Sequence, residues 1–118
     1  MTNEIDSSSQ IERQLSKLES TATNLETLST LAMRVNRTQE TKILSDQAVD
    51  LRAKQFILYR NKDKLRIDNK EWKALVSALE LVNHFIDEAM SDIKVIKEAQ
   101  DSAARLISVL TKVAATVS

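Results

Sequence analysis

The chain has 118 residues with no glycine, proline or cysteine, and it carries 17 basic and 17 acidic side chains. The missing cysteine excludes disulfides, thiolate catalysis and cysteine-ligated zinc, and the missing glycine excludes a phosphate-cradling loop. Zero net charge gives no overall field toward nucleic acid or an anionic surface.

Residues 1–7 read as a flexible polar lead containing Glu4 and Asp6 and opening onto Ser7-Ser8-Ser9. A cleaved secretory signal needs a basic segment followed by an apolar one, and neither is present. The longest apolar run, Phe56 to Tyr59, falls far short of the roughly 20 residues that span a bilayer. The expected location is the cytoplasm, with export lacking a cleaved signal as the alternative.

From residue 8 onward the residue types are mostly strong helix formers, and the expected class is all-α. Ile11, Leu15, Leu18, Ala22 and Leu25 fall at steps of four and three, and the register then slips through Leu28, Leu31 and Val35. Asn36 to Lys42 has no apolar side chain, after which Ile43, Leu44, Ala48, Leu51, Phe56 and Leu58 resume a stripe. Either Asn36 closes one helix and Thr38 caps the next, or a single helix covers 8–61.

Asn61-Lys62-Asp63-Lys64 opens a polar turn over 62–68. Asp68 with Glu71 has the spacing of a capping box, and Asn69 competes as the cap. The strongest periodicity follows. Trp72, Leu75, Leu79, Val82, Ile86, Ala89, Ile93 and Ile96 alternate by three and four. After a polar interruption at Gln100, the pattern resumes at Ala103, Ile107, Leu110, Ala114 and Val117. One helix over 69–117 would be about 73 Å long at 1.5 Å per residue. Val76, Phe85, Ala99, Leu106 and Val113 widen its stripe enough to touch more than one neighbour.

Helices often end on a glycine, so the absence of any glycine or proline argues against extra turns. The favoured fold is a long antiparallel helical hairpin, coiled-coil-like, with 8–118 as a single domain that dimerises into a four-helix bundle. The alternative is a compact monomeric up-down four-helix bundle with further turns at 36–42 and at Gln100-Asp101-Ser102.

No catalytic, cofactor or metal residues are expected, and the chain does not read as an enzyme. His84 is the only histidine; Glu80 and Glu88 share its helix face, but no second histidine completes a bundle metal site, so these three read as a solvated face. Between Arg52 and Lys70 lie seven basic residues (Arg52, Lys54, Arg60, Lys62, Lys64, Arg66, Lys70) against Asp63 and Asp68. With Tyr59 and Trp72 they form a candidate partner-binding tip, weighed against an ordinary solvated turn. Trp72 reads better as a plug over Leu65 or Ile67 than as an exposed anchor.

The expected function is a non-enzymatic protein–protein interaction module, structural or adaptor, acting through self-association or a helical partner. Its seam comprises Leu75, Leu79, Val82, Ile86, Ile93, Ile96, Ile107 and Leu110. In plan alone, the helix–turn–helix layout, polar lead and tryptophan near the turn are similar to small helical-hairpin components or substrates of bacterial secretion systems. The Trp-x-Gly turn of the paired-hairpin substrates is absent, because Lys73 and Ala74 follow Trp72. A third expectation is binding of nucleic acid or an acidic partner through 52–70.

Overall fold

The structure, a computed structural model, describes residues 3–117, with side chains described from residue 8. Four helices follow in order: α1 (Asn3–Arg34), α2 (Thr38–Arg60), α3 (Lys70–Ser91) and α4 (Ile96–Val117). Single 3₁₀ turns at Lys62–Lys64 and Ile93–Val95 lie in the second and third connections. The expected helices over 8–61 and 69–117 are therefore each broken, and the chain folds back three times within a 50 × 26 × 19 Å envelope. Helix α1 also starts at Asn3, ahead of the boundary expected at residue 8.

The first break shows how a chain without glycine turns. Asn36 has φ 63°, the left-handed conformation usually left to glycine. Asparagine tolerates this region better than most residues. Around it, the Asn36 N–H donates to the Met33 carbonyl (3.1 Å) and the Arg37 N–H to the Ala32 carbonyl (2.9 Å). This pair of bonds is a Schellman closure with asparagine in the glycine position. Helix α2 then begins at Thr38, with Arg37 as an N-cap whose side chain makes no capping bond.

The third turn lies at Asp92, not at Gln100-Asp101-Ser102, and Gln100 sits inside α4. Asp92 is extended (φ −144°, ψ 103°) and its carboxylate accepts from the Lys94 N–H at 3.1 Å, so no positive φ is required. The apolar spacing continues through this corner because Ile93 and Ile96 pack on the same core as Ile86 and Ala89. Between α2 and α3, Asn69 rather than Asp68 is the cap, its side chain accepting from the Glu71 N–H at 2.7 Å.

The helices assemble as two antiparallel hairpins laid against each other. Helix α1 packs on α2 and α3 packs on α4 within the hairpins, while α1 faces α3 and α2 faces α4 between them. The link from α2 to α3 covers residues 61–69 and is too short to return along α2. Helices α1 and α3 consequently run in the same direction, and the link crosses a diagonal of the square. Leu65 in this link is buried, which ties the crossing to the core.

The core is aliphatic. Leu18, Leu25 and Leu28 of α1, Leu44, Leu51 and Leu58 of α2, Leu75, Leu79 and Ile86 of α3, and Leu106 and Leu110 of α4 are among its fully buried side chains. Each such side chain contributes roughly 1.5–3 kcal/mol on leaving water. The four stripes thus satisfy one another within one chain, where the sequence suggested that a second copy was needed. Among the described residues, no helix is long and apolar enough to cross a membrane.

Candidate interaction surface

The basic segment is largely occupied internally. The Arg52 guanidinium crosses from α2 to α1 and grips Glu26 with both nitrogens, at 2.5 and 3.1 Å, while Nη2 also donates to Thr23 Oγ1 at 3.0 Å. Donation from the Arg52 guanidinium holds the Glu26 carboxyl below its ordinary pKa, and the same hydrogen bonds, accepted by Glu26, raise the already high pKa of Arg52. Lys54 pairs with Asp50 (2.6 Å), Lys62 with Glu12 (3.5 Å) and Arg66 with Asp68 (3.4 Å). The Lys62 ammonium also lies 4.7 Å from the centre of the Tyr59 ring, and the Arg60 guanidinium 5.7 Å from that of Phe56. Among the described residues, Lys64 and Lys70 have no carboxylate partner. The seven cations expected as a docking tip are therefore divided between ion pairs, aromatic faces and open solvent.

Trp72, grouped with that tip from sequence, is only 4% exposed and belongs to the core, so it is not available as a surface anchor. Burial follows from its place in the first turn of α3, where it closes the end of the bundle at which Leu65 is also buried. The expected seam residues Leu75, Leu79, Val82, Ile86, Ile96 and Leu110 are buried, and Ile93 and Ile107 are half-buried against them. They are divided between α3, α4 and, for Ile93, the corner that joins them, instead of forming one continuous seam.

His84 lies exposed on α3, with Nε2 3.3 Å from Glu88 Oε2 and its ring edge-on to Phe85 at 5.1 Å. Asp87, Glu88, Ser91 and Asp92 line an open depression beside it. Among the described residues, no group of three His, Asp or Glu side chains is arranged to hold a metal ion. Glu80 makes no ion pair with His84.

The conspicuous surface is on α2. Its buried face is formed by Leu44, Ala48, Leu51 and Leu58. At 100° per residue, Val49, Ala53, Phe56, Ile57 and Arg60 lie on the opposite side, pointing away from both neighbouring helices. Val49 is 64% and Phe56 55% exposed, and Ile57 and Ala53 are exposed with them. Asp46 and Lys42 extend the same face toward the start of the helix, joined to each other at 2.9 Å. Elsewhere the large exposed apolar side chains are scattered: Met33, Val35 and Met90 lie at helix ends or turns, and Leu81 on the middle of α3. A single exposed apolar residue is ordinary, whereas several aligned on the solvent side of one helix suggest an occupant.

Sequence reasoning placed Phe56 in the core stripe of α2 and did not single out Val49, Ala53 or Ile57. The available signal was the spacing 49, 53, 56/57, 60, a second stripe about half a turn away from 44, 48, 51, 58. Set against known family models, curated proteins and solved structures, the chain matches none.

Proposed function

We propose that this protein is a non-enzymatic interaction module that docks a helical protein surface through the outer face of α2. The supporting observation is the exposed stripe Val49, Ala53, Phe56 and Ile57 on a helix whose core contacts are already complete. Aliphatic and aromatic side chains at i, i+4 and i+7 are the elements of helix-on-helix recognition. Arg60 over Phe56 provides a charged edge to this strip. The basic 52–70 segment is a weaker candidate for phosphate or acidic ligands, since Arg52, Lys54, Lys62 and Arg66 already have carboxylate partners.

The test is capture from the native organism with wild-type chain and with Val49→Glu/Phe56→Glu as parallel baits. Both positions are exposed, so the variant should keep its helical circular dichroism. Specific proteins retained by the wild type and lost by the variant are the expected result. Identical recoveries from both baits would place the docking surface elsewhere.

A further inference from the structure

Resting on the reading of α2 as a docking surface, we infer that its occupant is a second copy of this chain. The two α2 helices cross antiparallel about a two-fold axis at Ala53. The inference comes from the way the face is laid out about that residue. In such a crossing, two positions meet when their numbers sum to twice 53. Val49 then lies beside Ile57 of the second copy, and Ile57 beside its Val49.

The same rule brings Asp46 to Arg60 at each end of the contact. Asp46 and Arg60 stand about 20° to opposite sides of Ala53 around the helix, and Val49 and Ile57 about 40°, at 100° per residue. A two-fold axis lying between the helices reverses height and keeps lateral offset, so the members of each pair share a level and pack side by side across the contact. The face is consequently complementary to itself in polarity and charge, as an isologous interface requires.

Three further features fit this occupant. Ala53 is small and exposed at the axis, where the two helices approach most closely. Asp46 already holds Lys42 at 2.9 Å, and its remaining acceptor capacity suits a second cation. The chain has no net charge, so two copies meet without long-range repulsion. One helix crossing buries less surface than a permanent dimer, and association on the order of micromolar is expected.

The absence of native cysteine makes the test direct. Ala53→Cys places identical thiols on the two-fold axis within disulfide reach. Ser77→Cys, exposed on α3, reports random collision. Under mild oxidation, Ala53→Cys should cross-link at least about tenfold faster, because the dimer raises the effective thiol concentration. In sedimentation equilibrium, Asp46→Arg should weaken the dimer by about tenfold by setting like charges against each other at both ends. Arg60→Asp should do the same, and Asp46→Arg/Arg60→Asp should recover most of the wild-type affinity.

Equal cross-linking of the two cysteine variants overturns the proposal, as does a dimer indifferent to the charge reversals. If cross-linking fails while Val49→Glu/Phe56→Glu still abolishes specific capture, the docking surface stands and its occupant is a different protein. If neither responds, the docking surface falls as well.

Discussion

Asn83 of α3 donates through Nδ2 to Thr21 Oγ1 of α1 at 2.9 Å, bridging the two hairpins in an otherwise aliphatic seam. Both residues also bond within their own helices: Thr21 Oγ1 donates to the Lys17 carbonyl at 2.7 Å and Asn83 Nδ2 to the Leu79 carbonyl at 2.9 Å. Thr21 is fully buried. The bridge fixes the sliding position of α1 against α3, which interchangeable leucines specify only loosely.

Removing one half of this bridge strands the other. Thr21→Val should destabilise by about 1–2 kcal/mol in urea unfolding, since the hydroxyl is lost and Asn83 keeps one acceptor fewer. Thr21→Val/Asn83→Leu should cost less than the sum of the single variants, and the double-mutant cycle measures the difference. Strict additivity would mean that the two side chains do not act together.

Asn36 makes a second prediction. With φ at 63°, Asn36→Ala should lower stability by about 1 kcal/mol, because a Cβ without a compensating polar group is penalised in that region. Asn36→Gly should remain within about half a kcal/mol of wild type, since relief of the native conformation is offset by greater freedom in the unfolded chain. Urea midpoints of the two variants, compared at equal slope, check the order.

The Arg52–Glu26 pair predicts a modest acid dependence. The folded-state pKa of Glu26 is lowered by its hydrogen bond from Arg52. Its stabilisation is therefore complete above the ordinary carboxylate value and is lost as pH falls through the lowered folded value. Because both side chains are more than a third exposed, screening limits the effect to about 0.5 kcal/mol. Arg52→Gln should be slightly less stable than wild type at neutral pH, and the difference should shrink in titrations taken well below pH ~4.

Much of this fold was legible from side-chain spacing alone. The positions Leu15, Leu18, Ala22 and Leu25, and likewise Leu75, Leu79, Val82 and Ile86, are buried as their period requires. Two of the three turns were harder to read, because an asparagine and an aspartate end helices where glycine was the expected signal. Asn36 adopts the left-handed conformation, Asn69 caps α3, and Asp92 supports a corner through its own carboxylate. At Asp92 the apolar period runs on through the corner, so the core gave no sign that the helix had ended.

The α2 face was hidden for a related reason. Phe56 looks like a core residue in a one-dimensional reading, and only its placement with Val49 and Ile57 opposite Leu44, Leu51 and Leu58 shows it to be external. The cations nearby gave the opposite impression. Their density suggested a binding tip, while Glu12, Glu26, Asp50 and Asp68 accept four of them.

Gln100 offers the sharpest test of how polarity is placed in this bundle. It is buried in α4, and its backbone carbonyl accepts from Gln47 Nε2 of α2 at 3.0 Å. Among the described residues, neither Gln47 Oε1 nor Gln100 Nε2 has a hydrogen-bond partner. A buried amide donor without a partner costs about 1–3 kcal/mol. Gln100→Leu preserves approximate volume and leaves the backbone acceptor of Gln47 in place, so it should raise stability by about 1 kcal/mol. Gln47→Leu removes a made hydrogen bond together with an unpaired oxygen, and its gain should be smaller. Urea unfolding of both variants distinguishes these outcomes. A loss of stability in Gln100→Leu would show that its amide is paired in solution and that the α2–α4 seam depends on it.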